Sequence, residues 1–318
     1  MATNSNPYLV TAALGLAGAT MALGAVTGAG GVMLAPFAAA AFFYAAVTRN
    51  VRGALVAGAV AVAILLLIQG PSAAIGIGLL FAVPAFVAGW YANLSRAADE
   101  DDPNSLVEWF PISELVLRLT AYAGLLAAFG FAMAGPDWAS GFGEMIDGQV
   151  ARIGEASPDL QPDQLARLTD LVKAFLPFLP AVAGLFATAT LILGLMVAIA
   201  IARSRKSLIR ETVDWPADLA LPPVAAIILG VATALFVFGV MTTTALAVAS
   251  AFATAFVLVG VATVHYLLRG KPVKLPMLIL LYLAMLFFAP VLLGLAALGL
   301  AETLAGVRAR ASTTPPNI

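Results

Sequence analysis

The chain has 318 residues, of which 62% are hydrophobic and only 10% are charged. Ordinary soluble domains carry about 25% charged residues, so this chain has too few charges to cover a water-facing surface. Its net charge of −1 gives no general attraction for nucleic acid, and the absence of cysteine excludes disulfides, iron–sulfur clusters and thiolate chemistry. With a single histidine, His265, the chain cannot build a multi-histidine metal site.

Long uncharged stretches rich in Ala, Leu, Val and Ile recur along the chain. A hydrocarbon core about 30 Å thick requires about 20 apolar residues in a helix. The stretches predict about nine membrane-spanning helices, with eight to ten compatible with the pattern. They cover residues 8–28, 31–48, 53–70, 73–94, 112–134, 176–202, 222–242, 247–268 and 276–303. We therefore expect an all-α, polytopic transmembrane bundle in which residues 1–318 form a single integral membrane domain embedded in the lipid bilayer.

Basic residues are concentrated in four of the predicted connections. They are Arg49, Arg52, Arg96, Arg203, Arg205, Lys206, Arg210, Arg269, Lys271 and Lys274. Nine spans place these connections on one side, which the positive-inside rule assigns to the cytoplasm together with the amino terminus. Arg308 and Arg310 would then lie outside, whereas an eight-span or re-entrant arrangement broken at Pro290 would bring them inside. The Ala- and Gly-rich composition favours a bacterial inner membrane.

The connection over residues 135–175 is predicted to lie outside the cytoplasm, and it carries seven acids against three bases. Within it, residues 141–154 and 162–175 each place apolar side chains on one helical face. This periodicity predicts two amphipathic helices that lie in the membrane interface. A lid over an outward-facing cavity is the alternative.

The cytoplasmic connection contains an acidic run, Asp99-Glu100-Asp101-Asp102, followed by Pro103 and Asn104. Such a run is typical of a solvated linker. It lacks the spaced ligands and turn glycine of a calcium-binding loop, so the sequence predicts no metal site.

Ionisable residues inside a membrane bundle are costly and often mark function. Glu114 and Arg118 are four residues apart and predict an interfacial ion pair, with a substrate or coupling-ion contact as the alternative. Glu302 marks either the outer end of the last span or a buried proton-binding carboxylate. His265, beside Tyr266, is typical of an interfacial anchor rather than a catalytic base.

Motifs for catalysis are missing from the sequence. It contains neither a nucleophile motif nor a phosphate-binding Gly-rich loop followed by Lys. We therefore expect no catalytic residue, no cofactor and no ATP hydrolysis by this chain, and we predict that it is not an enzyme.

Small residues four apart recur in the first span, including the pair Ala13 and Ala17. Such spacing lets helix backbones approach closely in lipid. The first span is therefore predicted to pack tightly, either within the bundle or against a partner protein.

Residues 175–223 carry a series of helix-end motifs, and Pro36 opens the second helix of the amino-terminal hairpin. The motifs are Phe175-Leu176-Pro177, Arg203-Ser204-Arg205-Lys206, Asp214-Trp215-Pro216 and Leu221-Pro222-Pro223. Together they resemble the YybS-like family of bacterial multi-pass membrane proteins, which is distantly similar to the substrate-binding S components of energy-coupling-factor transporters. The resemblance implies a small-molecule-binding subunit that relies on a coupling membrane subunit and on ATPases. In S components an Ala-xxx-Ala pattern on the first helix meets the coupling subunit, and Ala13 and Ala17 match that spacing.

Two functional hypotheses follow. The first is a transport-related subunit that binds a small, mainly uncharged solute, motivated by the charge-poor bundle, the broken spans and the resemblance. The second is a non-catalytic assembly or envelope-organising protein that acts through its partners. A polar cavity at mid-membrane depth, open to the outer side beneath residues 135–175, would favour the first hypothesis. A solidly packed bundle with an exposed small-residue groove on the first span would favour the second.

Overall fold

The computed structural model describes residues 7–27, 31–97, 107–157, 159, 161–211 and 213–313. Two short strands are the only β-structure in these ranges, and the remaining regular structure is helical. The predicted all-α, polytopic helical bundle is therefore confirmed.

The amino-terminal half contains five α-helices and a small hairpin. The elements are α1 (Pro7–Thr27), α2 (Ala35–Ile68), α3 (Pro71–Ile77), α4 (Val83–Tyr91), β1 (Ser95–Ala97), β2 (Val107–Trp109) and α5 (Ile112–Ala134). A π-helical turn at Gly78–Ala82 joins α3 to α4. Pro84 gives a physical reason for this turn, because proline cannot donate the α-helical hydrogen bond to the preceding turn and widening relieves the clash.

Helix α2 reverses direction at Asn50, whose φ of 55° and ψ of −160° are not helical. Eight residues of straight helix span about 12 Å, yet a Cβ atom added to Gly53 would lie 2.6 Å from the carbonyl oxygen of Ala45. The Asn50 side chain accepts a hydrogen bond of 3.0 Å from the Arg52 amide, which caps the second arm. Helix α2 is therefore two antiparallel arms, one from each of the predicted spans 31–48 and 53–70.

The carboxyl-terminal half contains nine further helices among the described residues. They are α6 (Trp138–Ala156), α7 (Pro162–Ala174), α8 (Leu179–Ser204), α9 (Trp215–Asp218), α10 (Val224–Val237), α11 (Thr242–Leu267), α12 (Lys274–Phe287), α13 (Pro290–Ala305) and α14 (Val307–Thr313). The long helices α8 and α11 pack on each other and on α5 of the amino-terminal half.

The last predicted span, 276–303, is broken, because the chain bends by 120° between α12 and α13. Pro290 opens α13 and cannot continue the hydrogen bonding of α12. Just beyond α11, Arg269 forms an ion pair with Asp214. Beyond α13, Arg308 donates a hydrogen bond of 2.8 Å to the carbonyl of Pro216. Both ends of the α12–α13 hairpin therefore lie at the same end of the bundle, as in the re-entrant alternative and unlike a single span.

By length and composition, six helices of the described chain can cross a membrane, or seven if the bent α12–α13 pair counts as one span. This count is below the nine that the sequence predicts, for two reasons. Helix α2 holds two of the predicted spans within one element. Helix α10 has 14 residues, about 21 Å, which is short for a 30 Å hydrocarbon core.

Glycines set the distances between the longest helices. A methyl group at Gly15 would overlap the backbone of Ala57, and one at Gly184 would overlap the backbone of Ala247. Lipid provides no hydrophobic force between helices, so close backbone contact supplies the van der Waals attraction. The small residues therefore hold α1 against α2 and α8 against α11.

Basic residues gather at one end of the bundle, which we call the basic end. The Asn93 side chain donates a hydrogen bond of 3.0 Å to the Ala46 carbonyl, and the Ile209 amide donates one of 3.3 Å to the Val47 carbonyl. The connections that follow α2's first arm, α4 and α8 therefore meet at this end. The ion pair between Asp214 and Arg269 shows that the end of α11 lies there as well. The bases of this end are Arg49, Arg52, Arg96, Arg203, Arg205, Lys206, Arg210, Arg269, Lys271, Lys274, Arg308 and Arg310.

Helices α6 and α7 form a hairpin at the opposite end of the bundle. Lys173 pairs with Asp147 at 2.7 Å, and Leu165 lies against Gly154. The helices predicted over 141–154 and 162–175 are therefore present. Their location in the membrane interface stays a prediction.

Candidate ligand-binding site

Glu114 and Arg118 form the ion pair predicted at the start of α5. Their side chains meet at 2.8 Å and are each 36% exposed. The Arg118 guanidinium also lies over the rings of Tyr91 and Phe110, at 4.6 and 5.0 Å from their centroids. These contacts connect α5 to α4 and to the strand hairpin, and they place neither residue in the cavity described below.

Glu302 lies close to the basic end of the bundle and has a cationic partner. Its carboxylate pairs with Arg308 at 2.9 Å, and the two side chains are only 10% and 8% exposed. Arg308 also donates to the carbonyls of Pro216, Ala217 and Leu219. The pair therefore ties the end of α13 to the α9 segment, and the expected outer position of Glu302 is not the one that the fold provides.

His265 lies near the end of α11 and faces the re-entrant helix α12. Its Nε2 atom shares a hydrogen bond of 2.9 Å with the hydroxyl of Tyr282. The two rings are 6.0 Å apart and meet edge to face. His265 is thus paired with Tyr282, seventeen residues away, rather than with its neighbour Tyr266.

A cavity of about 430 Å³ lies beside this pair, and we call it the α12 cavity. It is partly open and is lined by residues of α8, the α9 segment, α11 and α12. Its lining residues are Leu193, Met196, Trp215, Pro216, Leu219, Leu258, Val261, Ala262, His265, Tyr282 and Met285. The volume lies within the range of about 300–1,000 Å³ that small-molecule sites occupy, and a mainly apolar lining with few polar groups is typical of such sites.

The polar groups of the α12 cavity come from three different elements. His265 and Tyr282 already share one hydrogen bond. The indole nitrogen of Trp215, a third lining residue, is buried and has no hydrogen-bond partner among the described residues. A buried donor without a partner is costly, and such groups often mark functional positions.

Other cavities also lie at the basic end, and two of them are comparable in volume to the α12 cavity. One, of about 580 Å³, is a surface recess beside the exposed Arg96–Glu108 ion pair of the strand hairpin. The other, of about 370 Å³, is lined in part by Arg210 and Asp218. Burial lowers the pKa of Arg210, and the charge of Asp218 acts in the opposite direction. Neither cavity combines walls formed by helices with an apolar lining, so the α12 cavity is the better candidate site.

Ala13 and Ala17 lie away from this cavity. Ala13 is exposed and Ala17 is half-buried, whereas Gly15 and Gly18 of the same helix are buried against α2. The small residues of α1 therefore divide between an inner face that packs on α2 and an outer face that is free for lipid or protein.

The site contains residues that the sequence analysis did not select. Tyr282 and Met285 reach the cavity from α12, which meets α11 at His265, and Trp215 reaches it from α9. Pro290 indicated a break in the predicted span 276–303, but the sequence alone did not predict which helix α12 would contact. The acidic run from Asp99 to Asp102 lies outside the described residues. In the described ranges, no group of three or more acidic or histidine side chains is placed to hold a metal ion.

Comparison with known proteins identifies a family but no close relative. No curated protein and no solved structure matches the chain. Residues 15–303 match the family described as "Predicted membrane protein (DUF2232)". The match spans nearly every helix of the bundle, including all those that line the α12 cavity. The chain therefore belongs to this DUF2232 family of membrane proteins.

Proposed function

We propose that this protein is a transport-related membrane subunit that binds a small, mainly apolar molecule in the α12 cavity. The observation that carries the proposal is the cavity itself, which combines an apolar lining with the His265–Tyr282 hydrogen bond. In this proposal other subunits supply ATP hydrolysis. The resemblance to S components of energy-coupling-factor transporters motivates that division of labour.

The proposal includes an orientation in a bacterial inner membrane. The concentration of Arg and Lys at the basic end supports a cytoplasmic position for that end. Tyr8 lies beside Arg49 and Arg52 in a small cavity, so α1 begins at the basic end. This supports a cytoplasmic position for the amino terminus as well. The re-entrant α12–α13 hairpin then places Arg308 and Arg310 on the same side.

The exposed face of α1 is the proposed contact for a coupling subunit. Ala13 and Ala17 offer a smooth surface there, and small residues favour close packing of helices in lipid. The same face supports the second candidate function, a non-catalytic assembly or envelope-organising protein. The two functions differ in the partner that they require.

Isolation of the tagged protein from its native membrane in mild detergent, followed by mass spectrometry, tests the proposal. We expect a membrane subunit and ATPases to co-purify, and the double variant Ala13→Leu, Ala17→Leu to lower their recovery. Ala234→Leu, on the exposed surface of α10, is the matched control and should leave recovery unchanged. Recovery of envelope or division proteins in place of ATPases would support the assembly function and reject the transport function.

A further inference from the structure

The α12 cavity changes from polar to apolar along its length. His265 and Tyr282 mark one end, close to the last turn of α11. Leu258 lies seven residues earlier on α11, which is about 10 Å farther from the basic end. Leu193 lies eleven residues before the end of α8, about 16 Å from it. The cavity therefore runs from the interface towards the middle of a 30 Å hydrocarbon core and becomes apolar with depth.

Positive charge lies at the polar end of the cavity. Lys271 lies in the turn between α11 and α12, Lys274 is the first residue of α12, and both are exposed. The ammonium group of Lys274 is close enough to His265 to interact with it electrostatically. Arg269 is already paired with Asp214, whereas neither lysine has an ion-pair partner among the residues that the structure describes. Two uncommitted cations therefore stand beside the polar end.

Helix α12 forms a thin wall between the cavity and the surrounding lipid. Its side chains Ile279, Leu283 and Leu286 are about half exposed or more, and the helix makes few contacts with other elements. Tyr282 and Met285, on the same helix, line the cavity. Because so little packing holds this wall, a molecule dissolved in the bilayer can reach the cavity sideways, past α12.

We propose that the α12 cavity binds a single-chain anionic amphiphile from the membrane, such as a long-chain carboxylate. The apolar chain lies against Leu193, Leu258 and Ala262, and the anionic head lies at the basic end near Lys271 and Lys274. The polarity of the cavity thus matches the orientation that such a molecule already has in the leaflet next to the basic end. This inference rests on the proposed ligand-binding function and names the class of its ligand.

Photolabelling in nanodiscs of zwitterionic phosphatidylcholine tests this assignment. The probe is a fatty acid with a photoreactive diazirine near its chain end, and labelled peptides are located by mass spectrometry. We expect labels on peptides that contain Leu193, Leu258 and Met285. Ala262→Trp fills the cavity and should reduce labelling about tenfold or more, since displacing two buried methylene groups already costs about that much affinity. Labels spread evenly over the lipid-facing helices, or unchanged in Ala262→Trp, would overturn the proposal.

The matched control for this variant is Ala234→Trp, which adds the same side chain to an exposed position of α10. A second variant tests the anionic head without altering the packed interior. Lys271→Gln with Lys274→Gln removes both charges from exposed side chains and should lower labelling by the fatty acid about threefold or more, as expected for lost charge–charge contacts at a surface. Labelling by the matching fatty alcohol should stay unchanged. Equal labelling by both probes in wild type and variant would also overturn the proposal.

The two proposals fail in different ways. If the photolabel finds no preferred site while partner ATPases still co-purify, the amphiphile assignment is wrong and the transport-related function stands. If the fatty acid labels the cavity but no transport partner is recovered, the amphiphile assignment stands and the transport-related function is wrong.

Discussion

Glu302 and Arg308 form a buried ion pair at the end of the re-entrant hairpin. Their charged groups are 2.9 Å apart, and the arginine is held further by three backbone carbonyls of the α9 segment. The guanidinium can satisfy a carboxylate and several carbonyls together because its five donors are arranged in a planar fork. The last helix is thereby fastened to a segment about ninety residues earlier, which also forms one wall of the α12 cavity.

Removing one member of this pair should destabilise the protein strongly. Arg308→Met leaves the Glu302 carboxylate buried without its cation, and we expect a loss of about 3–5 kcal/mol in the free energy of unfolding. The double variant Glu302→Leu, Arg308→Met should lose less than the sum of the two single variants, because no unpaired charge remains. Thermal unfolding in detergent measures both effects. Lys271→Met, at an exposed position, is the control, and an equally large loss there would contradict this explanation.

The hydrogen bond between His265 and Tyr282 should restrain helix α12. In Tyr282→Phe the hydroxyl is lost while the ring remains, so we expect amide hydrogen exchange in residues 274–287 to rise about fivefold, the equivalent of about 1 kcal/mol. Exchange in the middle of α11 should not change. Tyr266→Phe removes a hydroxyl from a neighbouring tyrosine and serves as the control. Similar exchange of α12 in both variants would show that this bond does not hold the wall of the cavity.

The glycines of the helix contacts should differ in their tolerance of a methyl group. Gly184→Ala places the methyl group against the Ala247 backbone and the Ser250 side chain, and overpacking of this kind costs about 1–3 kcal/mol. Gly130→Ala, in α5, adds a methyl group where no atom lies within 4 Å and should gain up to about 1 kcal/mol from helix propensity. The midpoint of thermal unfolding should therefore fall in the first variant and not in the second. Equal effects would show that close approach of α8 and α11 does not depend on Gly184.

Much of the fold follows from composition and periodicity. Long apolar runs require helices because lipid offers no hydrogen bonds to the backbone, so the all-α bundle and the positions of α1, α5, α8 and α11 were predictable. The ion pair of Glu114 with Arg118 was predictable too, because residues four apart face each other on a helix. Each of these features depends on contacts within one helix.

The site was less predictable because it depends on contacts between distant helices. His265 was recognised as a polar residue in a span, but its partner Tyr282 lies beyond a turn whose direction no local pattern fixes. Glu302 was predicted at the outer end of a span because residues 276–303 were interpreted as one continuous helix. The bend before Pro290 reverses that placement, and it brings Glu302 to Arg308 at the basic end.

The re-entrant hairpin leads to a test of the whole topology. The chain has no cysteine, so single cysteines can be introduced without background. Ser204, Ser140 and Ala311 are all exposed, and they lie at the basic end, at the opposite end and after α13, respectively. An impermeant maleimide added to intact cells should label Ser140→Cys only. After the membrane is opened, Ser204→Cys and Ala311→Cys should react as well.

Ala311→Cys is the decisive position, since a ninth complete span would carry residue 311 across the membrane to the side of Ser140. Labelling of Ala311→Cys in intact cells would therefore contradict the re-entrant hairpin and restore the single span over 276–303. Protection of Ala311→Cys would support the re-entrant hairpin. Arg308 donates hydrogen bonds to the carbonyls of Pro216 and Ala217, which lie on the same segment that pairs with Arg269. The comparison requires that the three introduced cysteines react equally well with the maleimide when they are accessible. Labelling of all three variants in detergent is the control for this.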